Sequence, residues 1–414
     1  MNSILKFKRS SLLIFLIVSL LFFFIQCIDN GTDKQEALNK ATDTYQQYAG
    51  SEACASCHKN IYDSFIKTGH FTTSQLADAE NVKGSFEQGK NTFRYNPALF
   101  VSMNKTDSGL YEVENSNGSD TLSGRMNIII GSGTRGQTYL SWSANHLFQL
   151  PVSYVSSVHE WVNSPGDSNH VIFRRPVNAR CLECHATYAD VSSSPLTGRQ
   201  EQFDPKKIMY GIGCEKCHGP AAKHVEWQTE NPKETIAKYI VNPEKFSKKI
   251  SLDLCRLCHG GKMGNIKPAF TFTSGDKLQD DFIMDELGHT SNADVHGNQY
   301  SLLANSKCFR NSEAMTCVTC HNAHAAERGN VALFSQKCMA CHNKEHGTFC
   351  TTNTLTISAI GANCIDCHMP QMASTKIVSQ LSDGKGFTAE LLRTHFIAVY
   401  PDATKNFLLK NKRK

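Results

Sequence analysis

A chain of 414 residues has room for two or three ordinary domains. Apolar residues make up 40% and charged residues 20%, with 27 Gly and 12 Pro, which excludes disorder, collagen and coiled coil as descriptions of the whole. The formal charge is +5, and the unusual residues are 17 Cys and 17 His.

The chain opens with Lys6, Lys8 and Arg9 ahead of an apolar run from Leu12 to Ile25 broken only by Ser19. That is a basic region followed by an apolar core too short to span a membrane, which takes about 18 residues or more. It predicts a secretion signal over 1–26 and a polar linker over 27–50. Cys27 follows the apolar core as in a lipoprotein signal, although Ile25 and Gln26 stand where small residues are usual. Lipidation of Cys27 and an ordinary cleaved signal both remain open. The chain is therefore expected to be exported, periplasmic or at the cell surface, with membrane attachment through a lipid on Cys27 as one form.

From residue 51 to 404 the sequence is organised by one motif, Cys-x-x-Cys-His. Random placement would produce it about 0.03 times at these frequencies, and it occurs seven times. The copies are Cys54, Cys57 and His58; Cys181, Cys184 and His185; Cys214, Cys217 and His218; Cys255, Cys258 and His259; Cys317, Cys320 and His321; Cys338, Cys341 and His342; and Cys364, Cys367 and His368. Two cysteines three apart can form thioethers to the two vinyl groups of one porphyrin, and the next residue then sits under the iron as proximal ligand. Zinc sites and redox dithiols do not explain a histidine after every second cysteine. The motifs predict seven covalently bound haems c. Cys308 and Cys350 are left over, and in an oxidising compartment a disulfide between them is expected, with two free thiols as the alternative.

Successive motifs start 127, 33, 41, 62, 21 and 26 residues apart. Such density leaves little room for regular structure, so the fold class expected is mainly α with extensive loops, the haems forming the core. The long gap is the exception. Phe93–Tyr95, Leu99–Met103, Leu110–Val113, Met126–Ile130, Thr138–Trp142 and Leu147–Val155 are β-branched or aromatic runs separated by turn residues such as Asn115 to Asp120. They predict a small antiparallel β insertion around residues 91–160. Within it, Gly131, Gly133 and Gly136 match the dinucleotide fingerprint G-x-G-x-x-G. A strand-like segment follows where that motif needs a helix, so a hairpin turn is expected instead.

Ten histidines remain for the distal faces of seven irons, enough for every haem to be bis-histidine. His70 follows a helical stretch leaving the first motif, His224 and His324 lie six and three residues after proximal His218 and His321, His296 precedes the fifth motif, and His395 falls in a C-terminal segment, Leu391 to Val399, read as helical. These five are the expected distal metal ligands. His170, His289 and His346 are weaker candidates, and His146 and His159 read as ordinary histidines. Met263, Met315, Met369 and Met372 lie near motifs and read as packing. The iron at His259 is the one singled out as open, because glycines follow it and no close histidine does. Residues 405–414 form a basic tail, either a solvated end or a docking patch for an acidic redox partner.

Charge is misleading here. Without Lys6, Lys8 and Arg9 it is +2, and fourteen ionised propionates would bring it near −12, so nucleic acid is not an expected partner.

With these motifs in view, the chain resembles the cytochrome c-554-type multihaem family, within a wider group that includes pentahaem nitrite reductases and hydroxylamine oxidoreductases. The resembling segments are 131–140, 149–154, 175–185, 214–220 with His224, 315–324 and 364–370. The resemblance implies closely stacked haem pairs, mostly bis-histidine, sometimes with one five-coordinate iron. There is no Cys-x-x-Cys-Lys motif, which argues against a standard nitrite reductase. The function expected is electron transfer between a membrane respiratory donor, such as a quinol-oxidising complex or another cytochrome, and a periplasmic or extracellular acceptor. The alternative is an oxidoreductase acting on a small nitrogen or sulfur compound at one open haem, with catalytic residues unassigned.

Overall fold

Strands form where the motifs leave the chain free. The structure, a computed structural model, describes residues 45–166, 170–192, 200–284, 294–352 and 356–411. Cys27, the signal 1–26 and His289 lie outside the described residues.

After a short first strand, β1 (Ser74–Leu76), four strands form an antiparallel meander: β2 (Thr92–Asn96), β3 (Leu99–Thr106), β4 (Gly109–Ser116) and β5 (Ser119–Arg125). Asn117 and Gly118 join β4 to β5 with φ of 52° and 82°. Positive φ at both central residues is the two-residue turn whose twist matches the flanking strands, and Asn-Gly adopts it most readily. A six-stranded antiparallel sheet follows in the order β1-β6-β7-β8-β10, built from β6 (Ile128–Ile130), β7 (Gly136–Ser143), β8 (His146–Val155) and β10 (Arg175–Pro176). Strand β9 (Glu160–Asn163) pairs with β8 off this path.

The two-residue period of a strand makes the larger sheet a central layer. Ile129, Tyr139, Leu150, Val152 and Tyr154 point one way and join Phe93, Val101, Met103 and Leu110 of the meander in one apolar core. Ile128, Leu140 and Leu147 point the other way, onto Leu182 and Ala179 of the second motif's helix and onto Ala186, Ala189, Phe203 and Ile208. The β lobe is thus the wall against which the second motif is seated. Leu182 is 1% exposed, and a fully buried leucine contributes about 2 kcal/mol of transfer free energy to that seating.

The turn at Gly131, Gly133 and Gly136 joins β6 to β7 as a hairpin. Gly131 has φ of 106°, and a Cβ there would lie 2.5 Å from the Gly136 carbonyl oxygen. The glycines answer a backbone need, and no helix follows.

The expected mainly α class is wrong. Helix and strand each account for 28% of the structure. Three further antiparallel ribbons lie beyond the β insertion: β11 (Ala186–Val191) with β12 (Phe203–Tyr210), β13 (Met263–Asn265) with β14 (Phe282–Met284), and β15 (Gln371–Gln380) with β16 (Phe387–Arg393). Strand β11 is buried on both faces, so it lacks the alternation that marks a half-exposed strand. Leu391–Val399 is also not helical: β16 runs to Arg393, the chain then continues without regular structure, and a helix spans Pro401–Asn411. No helix among the described residues is long and apolar enough to cross a membrane.

Candidate functional site

Each Cys-x-x-Cys-His motif lies on a helical turn. Asn178 accepts a hydrogen bond from the Cys181 amide at 3.2 Å and caps the helix Ala179–Glu183. Ser247 caps Lys248–His259, whose last turn is the fourth motif, and Asn330 caps Val331–Met339, which carries Cys338. In such a turn residues three apart share a face, which brings both sulfurs to one side. The histidine amide closes the turn onto the first cysteine's carbonyl: His58 to Cys54 at 2.8 Å, His321 to Cys317 at 3.0 Å, His342 to Cys338 at 2.9 Å and His368 to Cys364 at 3.2 Å. Two thiols and an imidazole in this order are the donor set a covalently bound haem requires, so the residues fit haem c.

Backbone carbonyls fix several of the imidazoles. His218 Nδ1 bonds to the Val241 carbonyl at 2.9 Å, His368 Nδ1 to Ala398 at 2.9 Å and His342 Nδ1 to Thr348 at 3.3 Å. A carbonyl only accepts, so Nδ1 carries the proton and Nε2 keeps its lone pair for a metal. His185 Nδ1 lies 3.0 Å from Thr73 Oγ1, and His259 Nδ1 lies 3.3 Å from Gln299 Oε1.

Three proximal histidines face a second imidazole. The ring centroids are 6.1 Å apart for His259 and His70, 6.1 Å for His218 and His324, and 6.2 Å for His321 and His395. Two imidazoles bound through nitrogen to opposite sides of one metal, with bonds of about 2.0 Å each, would have centroids roughly 6 Å apart. Burial, with neighbouring histidines second, lowers His259 and His395 to about 4, which keeps both rings neutral. His185 and His296 are electrostatic neighbours as well. The structure therefore sets three of the five expected distal histidines ring to ring with proximal partners, and places His296 in the neighbourhood of His185 and His259. His70, from 189 residues upstream, stands across from His259, the motif whose local sequence offered no close histidine. His224 bonds through Nδ1 to the Lys238 carbonyl at 2.8 Å but has no proximal ring against it among the described residues. His58, His185, His342 and His368 likewise have no second imidazole ring against them among the described residues.

The motifs also touch one another. Thiols of Cys54 and Cys214, Cys184 and Cys258, Cys255 and Cys317, and Cys338 and Cys364 lie within hydrogen-bonding reach in pairs. Cys217 is an electrostatic neighbour of Cys255, and Cys320 of Cys338. The first motif thus meets the third, the second the fourth, the fourth the fifth and the sixth the seventh, while the third lies near the fourth and the fifth near the sixth.

Acidic residues inside the motifs hold these contacts, a role the sequence reading missed although their place in the x positions was visible. Buried Glu215, in the third motif, accepts from the amides of Ala49 at 2.8 Å, Gly50 at 2.9 Å and Ala221 at 2.8 Å, tying the first motif's helix to the third. Glu183, in the second, pairs with Arg180 at 2.8 Å and accepts from the Phe270 amide at 2.8 Å. Ser335 accepts from the Cys364 amide at 2.9 Å and joins the sixth motif's helix to the seventh.

Cys308 and Cys350 are free thiols, not the expected disulfide. Cys308 neighbours Cys341 and Cys350 neighbours Cys367, so each is spent beside a different motif. His146 is bonded to the Glu201 carbonyl at 2.9 Å and faces Phe148, as an ordinary histidine would.

Residues 139–219, which hold β7 through the third motif, match the family described as cytochrome c554 and c-prime. Over 199 residues the chain is 28% identical to the multiheme cytochrome MtrA of Shewanella baltica, covering 45% of this chain and 51% of that protein. The chain thus spans about half of MtrA's length. It also resembles the crystal structure of the outer cell wall cytochrome OcwA, with a TM-score of 0.52 and 16% identity, over 87% of this chain and 81% of the other. That likeness is one of fold.

Proposed function

We propose that this chain, a multihaem c-type cytochrome with covalently bound haem c, binds seven haems and passes electrons between a membrane respiratory donor and a periplasmic or extracellular acceptor. The observation that carries the reading is the set of opposed imidazole pairs at 6.1–6.2 Å, joined with the close approach of cysteines from neighbouring motifs. Bound haem supplies a one-electron iron couple. The paired cysteines would hold it through thioethers, the proximal histidine, oriented by its Nδ1 hydrogen bond, would offer Nε2 to the iron, and the facing imidazole would be available as a second ligand. His70 would serve the fourth haem, His324 the third, His395 the fifth and His296 the second. An iron closed on both faces has no place for substrate, which suits transfer over catalysis.

Localisation outside the cytoplasm is supported by the basic and apolar N-terminal pattern and agrees with an outer cell wall cytochrome of similar fold. Redox proteins are the proposed partners, with membrane attachment through Cys27 as a further proposal. The test is a potentiometric titration of the purified holoprotein, with haem content measured by mass. Seven haems reduced reversibly at low potential are expected; a count below seven, or haems that do not reduce reversibly, would overturn the reading.

One observation favours a second reading. His58, His185, His342 and His368 have no imidazole ring against them among the described residues, which would leave one of these irons to bind a small nitrogen or sulfur compound. Carbon monoxide added to the reduced holoprotein distinguishes the two. No spectral change leaves only the carrier; a change amounting to one haem in seven, with turnover of an oxyanion from reduced viologen, establishes the oxidoreductase.

A further inference from the structure

The fourth motif is where the chain of contacts branches. Cys258 meets Cys184 of the second motif, Cys255 meets Cys317 of the fifth, and Cys217 of the third stands beside Cys255. The second and fourth motifs also meet through main chain: Cys184 Sγ lies 3.7 Å from the Leu257 carbonyl oxygen, and Arg180 Nη2 donates to that same oxygen at 2.6 Å.

One side chain enters this junction from the third motif. Lys216, between Cys214 and Cys217, donates to the Thr187 carbonyl at 3.4 Å and lies 4.9 Å over the ring of Phe270. Cys258, Glu183, Cys184 and Cys217 are its electrostatic neighbours. Glu183, 1% exposed, is already held by Arg180. Two cations and one anion meet there, and the surplus positive charge belongs to Lys216.

We propose that Lys216 is a potential-setting residue of the three-motif junction, holding the haems of the second, third and fourth motifs at higher potential than the arms and so gathering electrons at the branch. The inference rests on the electron-transfer reading above. Reduction removes one positive charge from each iron, so a fixed cation nearby disfavours the ferric form and raises the potential. The effect is large where the surroundings are shielded from water, as the half-buried Lys216 and fully buried Leu257 and Glu183 are. Arg180 cannot take this part, because its charge is matched by Glu183.

The test is spectropotentiometric titration of wild-type holoprotein beside Lys216→Met, Lys216→Arg and Glu183→Gln. The Met variant is expected to move the highest-potential part of the curve downward and leave the low-potential part in place. The Arg variant, with the charge retained, is expected to follow the wild type, and Glu183→Gln, with an anion removed, to move the same part upward. Reversible titration with Lys216→Met superimposed on wild type would overturn the proposal while leaving the electron-transfer reading intact. Failure of the wild type to titrate reversibly would instead remove the reading beneath it. If Lys216→Met does not assemble its haems, the sign of the Glu183→Gln shift decides, and an unchanged or lowered potential there counts against the junction charge.

Discussion

Glu112 occupies an inward position on β4, in the core between the two sheets, and is 0% exposed. Its Oε2 accepts from the Val152 amide on β8 at 2.9 Å, whereas Oε1 has no partner among the described residues. Burial raises its pKa well above the ordinary carboxyl range, with the Val152 bond a smaller opposing influence. An unfolded carboxyl titrates near 4.3, so between that pH and the folded value the native β lobe keeps a proton that the open state releases. Stability from this group is full below the unfolded pKa and is lost as pH rises through the folded one. The limiting slope between the unfolded and folded values is about 1.4 kcal/mol per pH unit. Hydrogen exchange of peptides covering 99–116 and 136–155, corrected for intrinsic rates, should therefore show protection falling as pH rises above the unfolded carboxyl value, by at most about tenfold per pH unit. Glu112→Gln keeps an acceptor for Val152 but cannot ionise, so its profile should be flat and its protection at pH 7 higher than wild type. Glu112→Ala strands the Val152 amide and should cost about 1–3 kcal/mol at every pH. Parallel profiles for wild type and the Gln variant would refute the reasoning.

Three further outcomes test the site. His395→Ala should uncover the iron opposite His321 and add one carbon monoxide-binding haem per chain to the reduced spectrum, with no gain if the 6.2 Å pair is not a ligand pair. Glu215→Gln places an amide NH2 among three backbone donors; it should cost roughly 1.5–3 kcal/mol and raise hydrogen exchange at residues 49–58. Gly211 has φ of 69°, and a Cβ there would overlap the Phe71 carbonyl oxygen, while the next amide, Ile212, donates to the His70 carbonyl at 2.9 Å. Gly211→Ala should cost about 1–3 kcal/mol or more in thermal unfolding and disturb the electron paramagnetic resonance signal of the fourth haem, because the displaced segment carries His70.

Local pattern and tertiary context divide cleanly in this molecule. The seven motifs, the strands of the long gap and the turn at Gly131 are legible because each depends on residues a few positions apart. Thioether chemistry needs a three-residue spacing, a half-buried strand alternates with period two, and a tight turn needs residues that accept positive φ. The ribbons outside the gap were not legible: β11 is buried on both sides, and β15 finds its register only against β16.

Distal partners were readable as a list but not as pairs. His324 lies three residues from His321 yet faces His218, and the ring that His321 does face is His395. Proximity in sequence misled most at His259, whose partner His70 belongs to the segment after the first motif. The sequence by itself determined that this chain attaches haem at repeated cysteine pairs, because that chemistry is local. Only the tertiary structure decided which imidazole meets which and which motif touches which, because those contacts join residues tens to hundreds of positions apart, brought together by packing against the β lobe and by buried acids such as Glu215.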